Sequence, residues 1–210
     1  MTLFAEFETQ TGATFSGCRT WRYQLWRMWD KEKPYLNVIG LNPSTADESK
    51  NDPTIRRCIG FAKSWGYGGL YVTNLFAYRA TKPKDMKRAN NPVGTENDRW
   101  IQETAENAGL VIAAWGENGS YLGRSLEVEA MVSNLHVFRL TPKSCVPEHP
   151  LYLPGDLKPK TIGDARMERA DELSRFAVSS LELKIKEMAD NSNNPQLSAD
   201  LNRILSDRNA

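Results

Sequence analysis

Apolar residues gather along this chain in short runs that stop abruptly at polar or turn residues. Tyr35 to Leu41 runs into Asn42-Pro43-Ser44, Leu70 to Val72 into Thr73-Asn74-Leu75, and Leu110 to Ala114 into Trp115-Gly116, while Leu135 to Leu140 leads to a proline-rich stretch containing His149. Short apolar runs bounded by turn residues are the pattern of strands buried on both faces of a mainly parallel sheet. Between the runs the pattern changes to a helical period. Asp52-Pro53 reads as an N-cap followed by proline at the first helical position, with Ile55, Ile59 and Ala62 on one face before Gly66. Glu96 to Ala108 carries Trp100, Ile101 and Ala105 on one side and stops at Gly109, and Arg124 to Val132 is a weaker helical segment. Strands alternating with helices of this length predict an α/β fold, three layers (α/β/α) around a central, mainly parallel, four-stranded sheet.

Two segments flank this pattern. Near the start, Tyr23, Leu25 and Arg27 alternate with Arg22, Gln24 and Trp26, which predicts a strand forming an N-terminal β-hairpin with Thr14 to Cys18 at the sheet edge. A strand of this composition packs one face and cloaks the other with arginine stems; the other reading is an aromatic platform for bases. Beyond Gly155 no strand signal remains. Ala170, Leu173, Ala177, Leu181 and Ile185 fall near helical spacing within Asp164 to Met188, a break follows from Asp190 to Pro195, and Leu197, Leu201, Ile204 and Leu205 predict a last short helix. The expected organisation is an α/β domain over 1–158 and a C-terminal helical extension over 159–210. That extension lies back on the domain, mediates self-association, or is partly mobile.

Composition narrows the class. No apolar stretch among the 210 residues approaches transmembrane length, and Met1 to Gln10 mixes acidic and apolar residues rather than joining a basic to a hydrophobic region, so a cytoplasmic protein with no membrane partner is expected. Cys18, Cys58 and Cys145 are widely spaced and odd in number, without clustered histidines, and neither a disulfide framework nor a metal site nor a cofactor is expected. The net charge of +1 excludes a globally basic nucleic-acid binder. Locally, residues 56–88 carry a basic excess, including Arg56, Arg57, Arg79 and Lys82, interleaved with Tyr67, Tyr71, Phe76 and Tyr78. That pattern is either a solvated surface or a rim that contacts phosphates.

In an open α/β sheet the carboxyl ends of the strands form the ligand crevice. Asn42, Asn74, Trp115-Gly116 and His149 all follow predicted strand ends, so they are placed to converge on one mouth. Each also has a structural reading: Asn42-Pro43-Ser44 as a strand-ending turn, Asn74 as a loop-capping amide, Gly116 as a close backbone approach and Trp115 as a wall. Asp52 beside Arg56 and Arg57 either caps a helix and balances charge or marks a second polar cluster for a phosphate.

The ordered set Gly40-Leu41-Asn42-Pro43-Ser44, Thr73-Asn74-Leu75, Ala114-Trp115-Gly116 and His149-Pro150-Leu151 resembles, in order and approximate spacing, the signature stations of the uracil-DNA glycosylase superfamily. Longer strings, Ile39 to Ala46, Asn51 to Arg57, Asn74 to Thr81 and His149 to Leu153, more closely resemble an uncharacterised domain family of bacterial and phage proteins, over about residues 18 to 155. The glycosylase resemblance implies a three-layer fold of that type and a DNA glycosylase that hydrolyses the N-glycosidic bond of a damaged or modified base. It implies catalytic roles for Asn42, holding the attacking water, and His149, donating as neutral imidazole to an oxyanion developing on the base. Asn74 would read the Watson–Crick edge of a flipped base, in a pocket built with Gly40, Pro43, Ser44, Trp115 and Gly116. Arg79 and Lys82, with Asp52, Arg56 and Arg57, are the candidates for phosphate contact or a second polar cluster. Two departures stand out. Ser44 occupies the place where uracil-selective members carry a bulky aromatic, which implies room for a larger base, and Leu151 follows His149-Pro150 where active uracil enzymes have serine. The expected partner is nucleic acid, DNA rather than RNA, or a nucleotide. The alternatives are a non-catalytic binder of the same fold, an enzyme acting on free nucleotides, and an interaction protein that works through its C-terminal helices.

Overall fold

The computed structural model describes residues 9–192 and 194–207. The leader reading of Met1 to Gln10 therefore lies almost wholly outside the described residues. Among those described, no helix is long and apolar enough to cross a membrane.

Seven strands form one sheet: β1 (Gln10–Phe15), β2 (Arg22–Met28), β3 (Tyr35–Gly40), β4 (Gly69–Asn74), β5 (Leu110–Ala113), β6 (His136–Val137) and β7 (Lys160–Thr161). Their order is β1-β2-β4-β3-β5-β6-β7. The four central strands, β4, β3, β5 and β6, run parallel to their neighbours in this set, and the first three end within two residues of a candidate residue. β1 and β2 add an antiparallel hairpin on one side, and β7 pairs antiparallel with β6 on the other. The expected four-stranded, mainly parallel sheet is thus corrected to a larger, mixed one. The hairpin is a full part of the sheet because β2 pairs with β4 from Leu25↔Val72 to Met28↔Gly69, a non-local pairing that no local pattern encodes. The absence of a strand beyond Gly155 is corrected as well. β7 has two residues, too few to show a period.

The helices are α1 (Pro53–Ser64), α2 (Pro83–Lys87), α3 (Asn97–Glu106), α4 (Arg124–Met131), α5 (Ile162–Asp190) and α6 (Pro195–Asp207). Successive strand residues face opposite sides, so Val38 and Ile112 join one core with Ile55 and Phe61 of α1, whereas Ile39 and Ala113 join a second with Ile101 of α3 and Val128 of α4. Helices therefore cover both faces of the sheet. α1 begins where its sequence predicts: an Asp52 carboxylate oxygen accepts the Ile55 N–H at 2.8 Å, Pro53 follows, and Gly66, at φ +84°, lies just beyond the helix end. Such a cap contributes about 1 kcal/mol.

The arginine stems of β2 do not cloak an outer face. Arg22 and Arg27 are buried, their guanidinium groups turned onto backbone carbonyls of the segment 46–50. Arginine can be buried only where its donors find acceptors, and the loop after β3 supplies them.

The chain divides into two compact units, one reaching Ala165 and the other starting at Arg166, so the division falls inside α5. In the second unit α5 and α6 leave Leu173, Phe176, Leu181, Leu183 and Met188 exposed, while Ala189 is buried and its carbonyl accepts from the Ser198 hydroxyl.

Candidate functional site

β3 has β4 on one side and β5 on the other, so the chain passes from β3 to β4 in one direction and then crosses back beyond β3 to β5 in the other. Such a switch point opens a crevice beyond the carboxyl ends of the strands. A cavity of about 430 Å³ lies there. Asn42 reaches it from β3, Asn74 from β4, Trp115 and Gly116 from β5, and His149 from the loop after β6, while α1 contributes its capping Asp52. The four sequence stations meet in one cavity.

Asn42 is held by its own amide. Its Nδ2 donates to Pro43 O at 3.0 Å and to Ala80 O at 2.7 Å. Since carbonyl oxygens accept and cannot donate, this fixes which end of the amide is nitrogen and leaves Oδ1 as an acceptor for something else. Asn74 is only 3 % exposed, and its Nδ2 has no hydrogen-bond partner among the described residues. Gly40, opposite it in register, makes the room: a Cβ there would lie 3.0 Å from Asn74 Oδ1. Trp115 is buried and closes the wall, with Gly119 packed so tightly on its indole that a Cβ would meet Cδ1 at 2.1 Å. Gly116 adopts φ +67° and ψ −169°, a region that essentially only glycine occupies, and its N–H donates to Pro147 O at 2.8 Å. That bond joins the loop after β5 to the one that carries His149.

His149 arrives by a reversal. β6 stops at Val137, and the chain then folds back on itself through the Leu140↔Pro147 bridge, with Glu148 N–H donating to Arg139 O at 3.0 Å. The Leu151 N–H donates to His149 Nδ1 at 3.4 Å, which requires an unprotonated Nδ1 and so puts the proton of the neutral ring on Nε2. Although the residue is open to the cleft, the surrounding protein desolvates its imidazole and lowers its pKa from the ordinary histidine value, with the Asp52 carboxylate opposing. A depressed folded value means that the neutral ring's contribution to stability is complete above the ordinary value and is lost as pH falls through the folded one. An NMR titration, with the signal assigned by His149→Gln, is expected to show a midpoint below the ordinary value and loss of the Leu151 amide's protection on its acid side. A midpoint at or above the ordinary value would contradict the neutral-donor geometry.

The remaining predicted residues scatter. Pro43 is buried behind the cavity and does not line it; its carbonyl serves Asn42 and the Ala80 N–H. Ser44 lines both the cavity and an adjoining open groove walled by Arg19, Tyr78 and Arg79. Asp52 lines the cavity, but Arg56 is exposed and turns back to Asn51 O at 2.6 Å, and Arg57 stacks 4.7 Å above Phe61 and bonds Leu153 O. Arg79 lies over Phe15 at 4.9 Å, and Lys82 is exposed just ahead of α2. These five residues form no single polar cluster.

Other residues of the site escape the sequence pattern. Arg22 and Cys58 line the cavity, the Cys58 thiol pushed up to about 12 chiefly by burial, so it stands there as an uncharged wall. Beneath Asn74, Asn97 Nδ2 donates to Asn74 O and Leu75 O, and Arg124 Nε donates to Leu75 O at 2.9 Å while its guanidinium pairs with Asp98 and Glu127. One signal was available for Arg124. A cation at the first position of a helix opposes the helix dipole, and it is tolerated here because the side chain is buried against carbonyl and carboxylate oxygens.

No curated protein and no solved structure matches the chain. One family profile, described as a protein of unknown function, DUF1643, matches residues 22–151, a stretch that runs from Arg22 past His149 and contains every sequence station of the cavity. The chain belongs to the DUF1643 family of proteins of unknown function.

Proposed function

We propose that the cavity takes a single nucleobase and that the protein hydrolyses the N-glycosidic bond of a modified base in nucleic acid, DNA rather than RNA, as its resemblance to the uracil-DNA glycosylase superfamily implies. The observation that carries this reading is Asn74, whose buried amide nitrogen lacks a partner inside a cavity that also holds the Asn42 amide and His149. An unpaired buried donor costs about 1–3 kcal/mol unless a ligand satisfies it. An amide offers one donor and one acceptor edge, the complement of a pyrimidine edge. Breaking the glycosidic bond needs a placed water for the oxocarbenium-like sugar and a donor for the departing base. Asn42 Oδ1 accepts from the water and orients it without the basicity to take its proton; as the water oxygen bonds to the sugar carbon and the bond to the base breaks, that proton goes to solvent and the base anion takes one up after leaving, so turnover is slow. His149 donates from Nε2 to the oxyanion that grows on the base.

Two features support a polymeric substrate with a substituted base. Ser44, a short side chain at the mouth, leaves space beside the base. The groove lined by Arg19 and Arg79 shares Ser44, Ala80 and Thr81 with the cavity and offers a path for a phosphate backbone, although Arg19 is already paired with Glu48 at 2.7 Å. An enzyme acting on free nucleotides is the second reading, favoured by the buried Arg22.

Purified protein incubated with single- and double-stranded DNA carrying uracil, mismatched thymine or bulky substituted pyrimidines is expected to generate abasic sites on at least one substituted base. Asn74→Ala should lower release on that substrate about 10-fold or more, a loss of the size a specific polar contact supplies. Binding of these DNAs without any base release would refute hydrolysis and leave a recognition role.

A further inference from the structure

Arg22 reaches the cavity through an irregularity in its strand. Thr14 pairs with Gln24 and Phe15 with Arg22, so Tyr23 is the additional residue of a bulge in β2. A bulge breaks the alternation of faces and re-aims the side chain beside it. Gln24 turns to Thr104 of α3, Tyr23 packs beside Gly94 just ahead of α3, and Arg22 swings to the other face, into the cavity with Ile55 and Cys58 of α1.

There the Arg22 residue is 2 % exposed. Its Nη1 donates to Ala46 O at 2.9 Å, its Nε has no partner, and among the described residues no carboxylate lies at ion-pairing distance. Burial lowers its pKa to about 10, which leaves it a cation at neutral pH. Asp47 and Asp52 act on it only from a distance, and each carboxylate already accepts backbone N–H groups, of Ser49 and Lys50 for Asp47 and of Ile55 for Asp52. Arg27 and Arg79 add positive charge to the same surroundings. A buried cation without a contacting counter-ion is unfavourable unless something else supplies one, and the wall of an open cavity is where a ligand can.

We infer that the ligand of this cavity carries a terminal oxyanion, a carboxylate or a phosphate, that pairs with the Arg22 guanidinium. The inference rests on the nucleobase reading of the cavity and narrows it. A chain phosphodiester is flanked by sugar on both sides and stays at the mouth, whereas a group that meets a buried arginine has to end the ligand. The oxyanion is then an acidic substituent on a modified base or the monophosphate of a free nucleotide.

Calorimetric titration of the full chain with thymidine, thymidine monophosphate and a deoxyuridine bearing a carboxyl group on its ring separates these sources. One of the two anions is expected to bind about tenfold or more tighter than thymidine, the scale of a charge-assisted fork. Preference for the monophosphate identifies a nucleotide ligand, and preference for the carboxyl compound identifies an acidic base. Arg22→Gln should erase the preference. Arg22→Lys, which keeps the charge and loses the fork, should reduce it, and carries the test if Arg22→Gln does not fold. Equal binding of the three probes, no binding of either anion, or a preference undiminished in both variants would overturn the inference. Asn74→Ala separates the two readings: if it leaves every affinity unchanged while Arg22→Gln still removes the anion preference, the nucleobase reading fails and the oxyanion site stands.

Discussion

Asn42→Ala is expected to reduce base release by about 100-fold or more, the size of effect that follows when a reacting water loses its positioning group. Single-turnover assays on the best substrate from the DNA panel measure it directly, and a variant that releases base at the wild-type rate removes Asn42 from the chemistry. The more informative substitution is Asn42→Asp. On chemical grounds alone a carboxylate should improve the site, since it can take the proton that an amide can only orient. The hydrogen bonds predict the opposite. Asn42 Nδ2 donates to the carbonyls of Pro43 and Ala80, and an aspartate oxygen in that place would face two acceptors with no proton to share. Leaving those groups unpaired and repelled costs about 1–3 kcal/mol each and pushes the side chain off its position. Asn42→Asp is therefore expected to be less stable than the wild type in thermal unfolding and no faster in base release. A faster Asn42→Asp enzyme would show that the loop after β3 can rearrange around a carboxylate.

The strand ends were legible because two independent signals coincide there. An apolar run gives the strand, and Asn42-Pro43-Ser44, Thr73-Asn74 or Trp115-Gly116 marks the point where backbone groups need new partners. Helix α1 was legible for the same reason, through its Asp52 cap and Pro53. What failed depended on pairing across distance. The hairpin lies at the sheet edge as expected, but its first strand is Gln10–Phe15 instead of Thr14 to Cys18, the choice of β4 as partner of β2 had no local sign, and the two residues of β7 are too few for any period. Alternation put Arg22 on the same side as Gln24 and Trp26, and the bulge at Tyr23 reversed it. The cluster of Asp52, Arg56 and Arg57 dissolved because each side chain has its own partner: Asp52 caps α1 at the cavity wall, while Arg56 turns to Asn51 O and Arg57 to Leu153 O. Convergence of Asn42 and Asn74 followed from topology, because parallel strands present their carboxyl ends on one side, whereas His149 reaches the same place only through the reversal after β6.

The largest loss of stability is expected from Arg27→Met, a residue that touches nothing in the cavity. Arg27 is 1 % exposed, and burial lowers its pKa with Asp47 opposing. Its guanidinium donates to Gly12 O at 3.3 Å and Trp26 O at 2.7 Å within the hairpin, and to Asp47 O at 2.8 Å, Lys50 O at 3.1 Å and Asn51 Oδ1 at 2.8 Å in the loop that leads to α1. Five acceptors on three segments thus depend on one planar group. Methionine fills much of the volume and satisfies none of them. With some acceptors regaining water, the loss is about 3–5 kcal/mol, which for a chain of this size lowers the melting temperature by roughly 6–20 °C. Arg27→Lys should recover little, since an ammonium has three donors and no fixed fork. The consequence reaches the site because this loop carries Ser44 and Asp52 into the cavity wall and supplies the Ala46 carbonyl that holds Arg22. Hydrogen exchange should therefore accelerate across residues 44–52 at temperatures where the variant is still folded, and ligand affinity should fall with it. A variant that melts with the wild type would mean that water replaces the guanidinium at little cost, and that the β2–β4 pairing and the contact of Arg22 with Ala46 O suffice to hold the hairpin and the loop.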